Sequence, residues 1–81
     1  MMPTNQRIID ALKVAGVDFD IEAFDPSKSF GGNGIDSLDV MSLFLTLEET
    51  YKVKFSEQEA NSIKTPSELA VSLDQKLQIV P

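Results

Sequence analysis

One serine in this sequence sits where its hydroxyl could be put to chemical use. Ser37 lies in the run Gly34-Ile35-Asp36-Ser37-Leu38-Asp39, at the seam between a glycine-rich stretch and the longest periodic apolar segment. A serine in the first turn of a helix presents its hydroxyl outward beside backbone N–H groups that lack a helical acceptor, and a phosphodiester attached there meets the positive end of the helix dipole. Phosphorylation and attachment of a phosphopantetheine arm suit such a serine equally. A plainer reading stands beside them, because Ser, Asp and Gly are common at helix starts for capping and turning alone. Other reactive groups are scarce: with no cysteine and no histidine, the chain has no thiolate, no imidazole base and none of the softer metal ligands. No catalytic residue and no metal site is assigned. Asp18, Asp20, Glu22 and Asp25 form an acidic group, but the spacing, central glycine and closing bidentate glutamate of a calcium-binding loop are missing.

The elements that must position Ser37 follow from periodicity. From Arg7 to Ala15, Ile8, Ile9, Ala11, Leu12 and Ala15 recur at a helical period; Thr4 or Asn5 can cap the start and Gly16 can close the end in a left-handed conformation. Residues 17–36 show no sustained period and hold Pro26, Gly31, Gly32, Asn33 and Gly34. Val17, Phe19, Ile21, Phe24 and Phe30 are anchors that argue for a packed loop there, and a connection of that length is usually functional or disordered. Ser37 to about Tyr51 is the strongest helix, with Asp36 as its N-cap and Asp39 in its first turn. Its apolar residues make two stripes, Val40, Leu43, Phe44 and Leu47 on one side and Leu38, Met41 and Leu45 beside them. A small core needs only one. Ser56-Glu57-Gln58-Glu59 fits a capping box for a short helix reaching about Ile63, and Thr65-Pro66-Ser67-Glu68 fits a second, with proline at the first helical position. Leu69, Ala70, Leu73 and Leu77 then form the buried face of the last helix. The expected fold is all-α, a bundle of three main helices plus one short helix, with a long loop between helices one and two.

Composition narrows the function classes. The 81 residues suffice for a single domain over 1–81, which buries only about 60–65% of its unfolded surface. Thirteen acidic against seven basic side chains give a net charge of -6, which repels phosphate backbones and anionic lipid headgroups. Neither nucleic acid nor a membrane is an expected partner; a basic protein surface is. Apolar runs fall short of a membrane span, and Met1-Met2-Pro3-Thr4-Asn5 lacks the basic and apolar regions of a secretory signal. Together with the lack of cysteine this predicts a cytoplasmic protein.

Several stretches in register resemble one known family. Gly34-Ile35-Asp36-Ser37-Leu38-Asp39 looks like the Gly-x-Asp-Ser-Leu attachment motif of the acyl carrier protein family, and Leu47-Glu48-Glu49-Thr50-Tyr51 resembles the end of that family's second helix. Phe55-Ser56-Glu57-Gln58-Glu59-Ala60, Ile63 and Thr65-Pro66-Ser67-Glu68-Leu69 resemble its short third helix and the start of its fourth, so the likeness covers nearly the whole chain. The resemblance implies a non-enzymatic acyl carrier of fatty acid, polyketide or related lipid metabolism. Ser37 would bear 4′-phosphopantetheine, transferred from coenzyme A by a phosphopantetheinyl transferase, making the chain a phosphoprotein that holds its cargo as a thioester. It also implies a monomer that docks acyl-loading and acyl-processing enzymes, through their basic patches, by Asp36, Leu38, Asp39, Met41, Leu45, Glu48 and Glu49. Acids there would steer the encounter, and the exposed apolar residues would supply the close contact. Acyl chains would retreat toward Phe30, Phe44, Leu47, Ile63 and Leu69.

The likeness has two gaps. Gly31-Gly32-Asn33-Gly34 replaces a run in which acids and a leucine precede the motif glycine, so a mobile loop is expected before Ser37. Ser42 replaces a mid-helix acid, and Lys52 and Lys54 dilute the charge beyond the helix, which points to enzymes other than those of housekeeping fatty acid synthesis. The initiating methionine on a one-domain chain suggests a free-standing carrier. Two alternatives remain: a peptidyl-carrier-like protein for an activated amino acid, and a helical interaction module with no prosthetic group, in which Ser37 is a plain helix residue or a phosphorylation site.

Overall fold

The computed structural model describes residues 5–77, in the order α1 (Asn5–Val14), a 3-10 turn (Gly31–Asn33), α2 (Ser37–Tyr51), α3 (Glu57–Ser62) and α4 (Pro66–Leu77). Among these residues there is no strand, and the architecture is the all-α one expected. Helix α1 begins at Asn5, two residues before the predicted start, so Asn5 is helical and not a cap; Thr4 lies outside the described residues. Its C-terminus closes as a Schellman motif. Gly16 takes φ 77° and donates to the Lys13 carbonyl at 3.1 Å, Val17 donates to that of Leu12 at 3.0 Å, and both Leu12 and Val17 are buried.

The core is a single cluster: Ile8, Ala11 and Leu12 of α1, Leu43, Phe44 and Leu47 of α2, Leu69, Ala70 and Leu73 of α4, and Val17, Phe30 and Ile35 from the long connection. Helix α1 packs against both α2 and α4. Arg7 of α1 ties all three together, pairing with Asp74 of α4 at 3.1 Å while its guanidinium lies 5.7 Å from the centre of the Tyr51 ring of α2. The connection is anchored as expected at Val17 and Phe30, and Phe19 and Phe24 meet edge to face at 5.6 Å while half-buried. Ile21 is not an anchor. It is 48% exposed, because the Asp20–Ala23 turn carries it outward, where the Glu22 amide donates to the Asp20 carboxylate and Ala23 to the Asp20 carbonyl.

Helix α2 ends with Lys52 at φ 58°, a left-handed conformation that glycine adopts more readily. Helix α3 is capped as read: Ser56 Oγ accepts the Glu59 N–H at 3.1 Å and the Glu59 carboxylate accepts the Ser56 N–H at 2.9 Å. It stops at Ser62, so Ile63 caps it with extended backbone. The second box is present too, with the Thr65 hydroxyl accepting the Glu68 N–H at 3.1 Å and the Glu68 carboxylate accepting the amides of Lys64 and Thr65.

Helix α3 is too short to hold itself and relies on ties to its neighbours. Phe55 meets Phe44 edge to face at 5.0 Å, and Lys76 lies 5.0 Å from the Phe55 ring while its ammonium sits 2.8 Å from Glu59. The hydrogen bond from Lys76, helped by the Ser56 amide, holds the Glu59 carboxyl below its ordinary pKa. A carboxylate depressed in the folded state stabilises the protein above its unfolded pKa, and the gain is lost as pH falls through the folded value. The Glu59→Gln variant should therefore be less stable than wild type near pH 7, with the difference in urea midpoint closing as pH is lowered toward about 3. A difference that stays constant with pH would show that Glu59 acts by packing alone.

Candidate functional site

Ser37 is presented by a chain of local constraints that starts in the loop. Gly34 takes φ 78° and donates its N–H to the Gly31 carbonyl, a left-handed position where a side chain would be strained. The Ile35 N–H then returns to the Phe30 carbonyl at 2.9 Å, and its side chain, 2% exposed, is pinned in the core. Asp36 is extended and caps α2, its carboxylate accepting the Asp39 N–H at 2.8 Å while its carbonyl accepts that of Val40 at 3.0 Å. The Ser37 and Leu38 amides precede the helical ladder and have no helical acceptor. The Ser37 side chain is exposed at this positive helix end, a setting that fits a phosphodiester.

The loop before Ser37, where three glycines in four residues suggested mobility, is hydrogen-bonded through Asn33. It folds into a 3-10 turn, and the Asn33 carboxamide binds backbone groups of Asp25 and Ser29. A polar clamp stands where an apolar anchor was missed. Asn-Gly in a turn-rich stretch is the sequence signal that could have found it.

Beside Ser37 opens a cleft of about 570 Å³ between the loop, α2 and α3, walled by Phe30, Ile35, Val40, Phe44, Ala60 and Ile63. Of the five residues expected near a cargo, Phe30, Phe44 and Ile63 line it, whereas Leu47 and Leu69 do not and are fully buried core. Leucines on the inner stripe of α2 and on α4 are consumed by packing against α1, out of reach of an opening on the α3 side.

The second stripe of α2 is uncovered: Leu38, Met41 and Leu45 are 72%, 61% and 59% exposed. Asp36 and Glu49 are exposed beside them and Asp39 is half-buried. Glu48 differs from these. Its carboxylate accepts the Phe55 N–H at 2.9 Å, which fastens the turn between α2 and α3 and sets Phe55 against Phe44. A structural duty for Glu48 was not legible from its place in a charged run.

A helical bundle that exposes Ser37 at a helix N-terminus, beside an apolar cleft and an uncovered apolar stripe, has the build of a carrier that other proteins act upon. Residues 6–71 match the family described as the phosphopantetheine attachment site, and the chain belongs to that family. Its members are non-catalytic carriers that attach 4′-phosphopantetheine covalently and interact with modifying and processing enzymes. The arm supplies a terminal thiol for thioester chemistry, which a chain without cysteine lacks. No helix among the described residues is long and apolar enough to cross a membrane.

The two neighbouring glutamates should separate in a stability measurement. Glu48→Ala leaves the part-buried Phe55 amide without its acceptor and should cost about 1–2 kcal/mol in urea unfolding. Glu49→Ala, on the exposed face, should change stability by less than about 0.5 kcal/mol. Equal effects would remove the structural role assigned to Glu48.

Proposed function

We propose that Ser37 bears the phosphopantetheine arm and that the protein carries acyl intermediates of fatty acid, polyketide or related biosynthesis as thioesters. The observation that carries the reading is the placement of an exposed Ser37 hydroxyl at the open N-terminus of α2, bordering the apolar cleft. Attachment forms a bond from the Ser37 oxygen to the phosphorus that bears the pantetheine in coenzyme A. The pyrophosphate linkage breaks, the nucleotide bisphosphate leaves, and the hydroxyl proton passes to a base of the transferase.

In this reading a single domain over 1–81 acts as a cytoplasmic monomer. Asp36, Leu38, Asp39, Met41, Leu45 and Glu49 face the basic docking patches of the transferase and of the acyl-loading and acyl-processing enzymes, with the free oxygen of Glu48 at the edge of that face. The exposure of Leu38, Met41 and Leu45 supports this surface, because a soluble chain gains nothing from a solvated apolar stripe unless something covers it. The cleft favours an acyl group over a polar aminoacyl one, its walls being mostly aliphatic and aromatic.

Intact-protein mass after incubation with coenzyme A and a broad-specificity phosphopantetheinyl transferase should rise by one phosphopantetheine on wild type and stay unchanged on Ser37→Ala. The variant should melt as wild type does, since an exposed first-turn serine is lost at little cost. Mass gain on Ser37→Ala would refute the assignment. Asp39→Lys should raise the transferase KM for the carrier and weaken its salt dependence, and Met41→Ala should raise KM with salt dependence unchanged. Transfer kinetics untouched by both would refute the α2 docking face.

A further inference from the structure

Asn33 is the most heavily bonded side chain of the long connection, and the attachment chemistry makes no direct use of it. Its carboxamide oxygen accepts the Asp25 N–H at 2.8 Å, and its Nδ2 donates to the carbonyls of Asp25 at 2.9 Å and Ser29 at 3.0 Å, with a longer approach of 3.4 Å to that of Lys28. The Asn33 backbone N–H donates to the carbonyls of Ser29 and Phe30. One residue thus joins the start of the 25–33 segment to its end. From it the chain runs without slack through the left-handed Gly34, the buried Ile35 and the capping Asp36 into Ser37.

We propose that Asn33 is a positioning residue for arm attachment, locking the loop so that the Ser37 hydroxyl meets the transferase in one orientation; the proposal rests on Ser37 being the attachment site. The residue type matters. An aspartate of the same size could accept the Asp25 N–H, but it could donate to none of the three carbonyls and would add a charge to a loop that already carries Asp25. An alanine would make none of these bonds. Either change frees the backbone just upstream of the attachment turn while leaving the outer face of α2 intact, so it should disturb alignment of the hydroxyl and spare docking.

The test compares wild type, Asn33→Asp and Asn33→Ala as carriers for the transferase with coenzyme A, at a temperature where circular dichroism shows each to be folded. The expected result is a fall in kcat of about 10- to 100-fold with KM little changed. Unchanged kcat in the folded variants would overturn the proposal, and so would a rise in KM alone, which would place Asn33 in the docking surface. Amide hydrogen exchange reads the same claim with no enzyme present. In Asn33→Asp, Gly34 and Ile35 should lose protection while Leu43 and Leu47 keep theirs; unchanged protection at Gly34 and Ile35 would overturn it. Failure of wild type to accept the arm would remove the Ser37 reading and this proposal with it, whereas normal modification of both Asn33 variants would remove this proposal alone.

Discussion

The inner stripe of α2 governs this molecule, because a bundle this small has one core and α2 must fill the centre of it. Leu43 and Leu47 are fully buried and Phe44 nearly so, packed with the apolar faces of α1 and α4. That packing sets the roll of α2 about its own axis. Once the roll is set, Leu38, Met41 and Leu45 can only face outward, and Ser37 can only emerge at the open end of the bundle. Most of a helix's stability in a small protein comes from burying such a stripe, so the exposed face and the buried face are one decision.

The second constraint is local and polar. A connection as long as that between α1 and α2 would ordinarily hold its end loosely. Here Val17 and Phe30 seat it in the core, the Phe30 N–H donates to the Lys64 carbonyl, and the Ser67 N–H donates to that of Pro26, tying the loop to the start of α4. Asn33 and Gly34 then shape the last turn before Asp36. The segment before Ser37 is thus tied to the core and to α4 by hydrogen bonds, while Ser37 itself faces solvent.

Helix α3 belongs to a different regime. Short and lacking any fully buried residue, it is held by the Ser56 capping box, by Phe55 against Phe44, by Glu48 on the Phe55 amide and by Lys76 on Glu59. These are few and mostly solvent-exposed interactions, the kind that open at low free energy. Ala60 and Ile63 form one wall of the cleft beside Ser37, so this lightly tied segment borders that cleft.

Local signals were enough for much of this. The Asp36 cap, both capping boxes, the left-handed Gly16 and the length of α2 depend on a few neighbouring residues, so they are legible in sequence, and the Gly-Ile-Asp-Ser-Leu run marked the family. What could not be read there depends on residues distant in the chain meeting in space. Periodicity could not tell that Ile21 turns outward while Ile35 turns inward, that Leu47 and Leu69 are core and not cleft, or that Glu48 is taken by an amide seven positions on. Nor could glycine content reveal the hydrogen bonds of Asn33 across the loop, since a side chain's worth as a clamp depends on which carbonyls the fold brings within reach. Short-range propensity and capping act within a turn and are written in sequence order; burial and long-range hydrogen bonds are set by how α1, α2 and α4 divide one small core, and only the tertiary structure decides that.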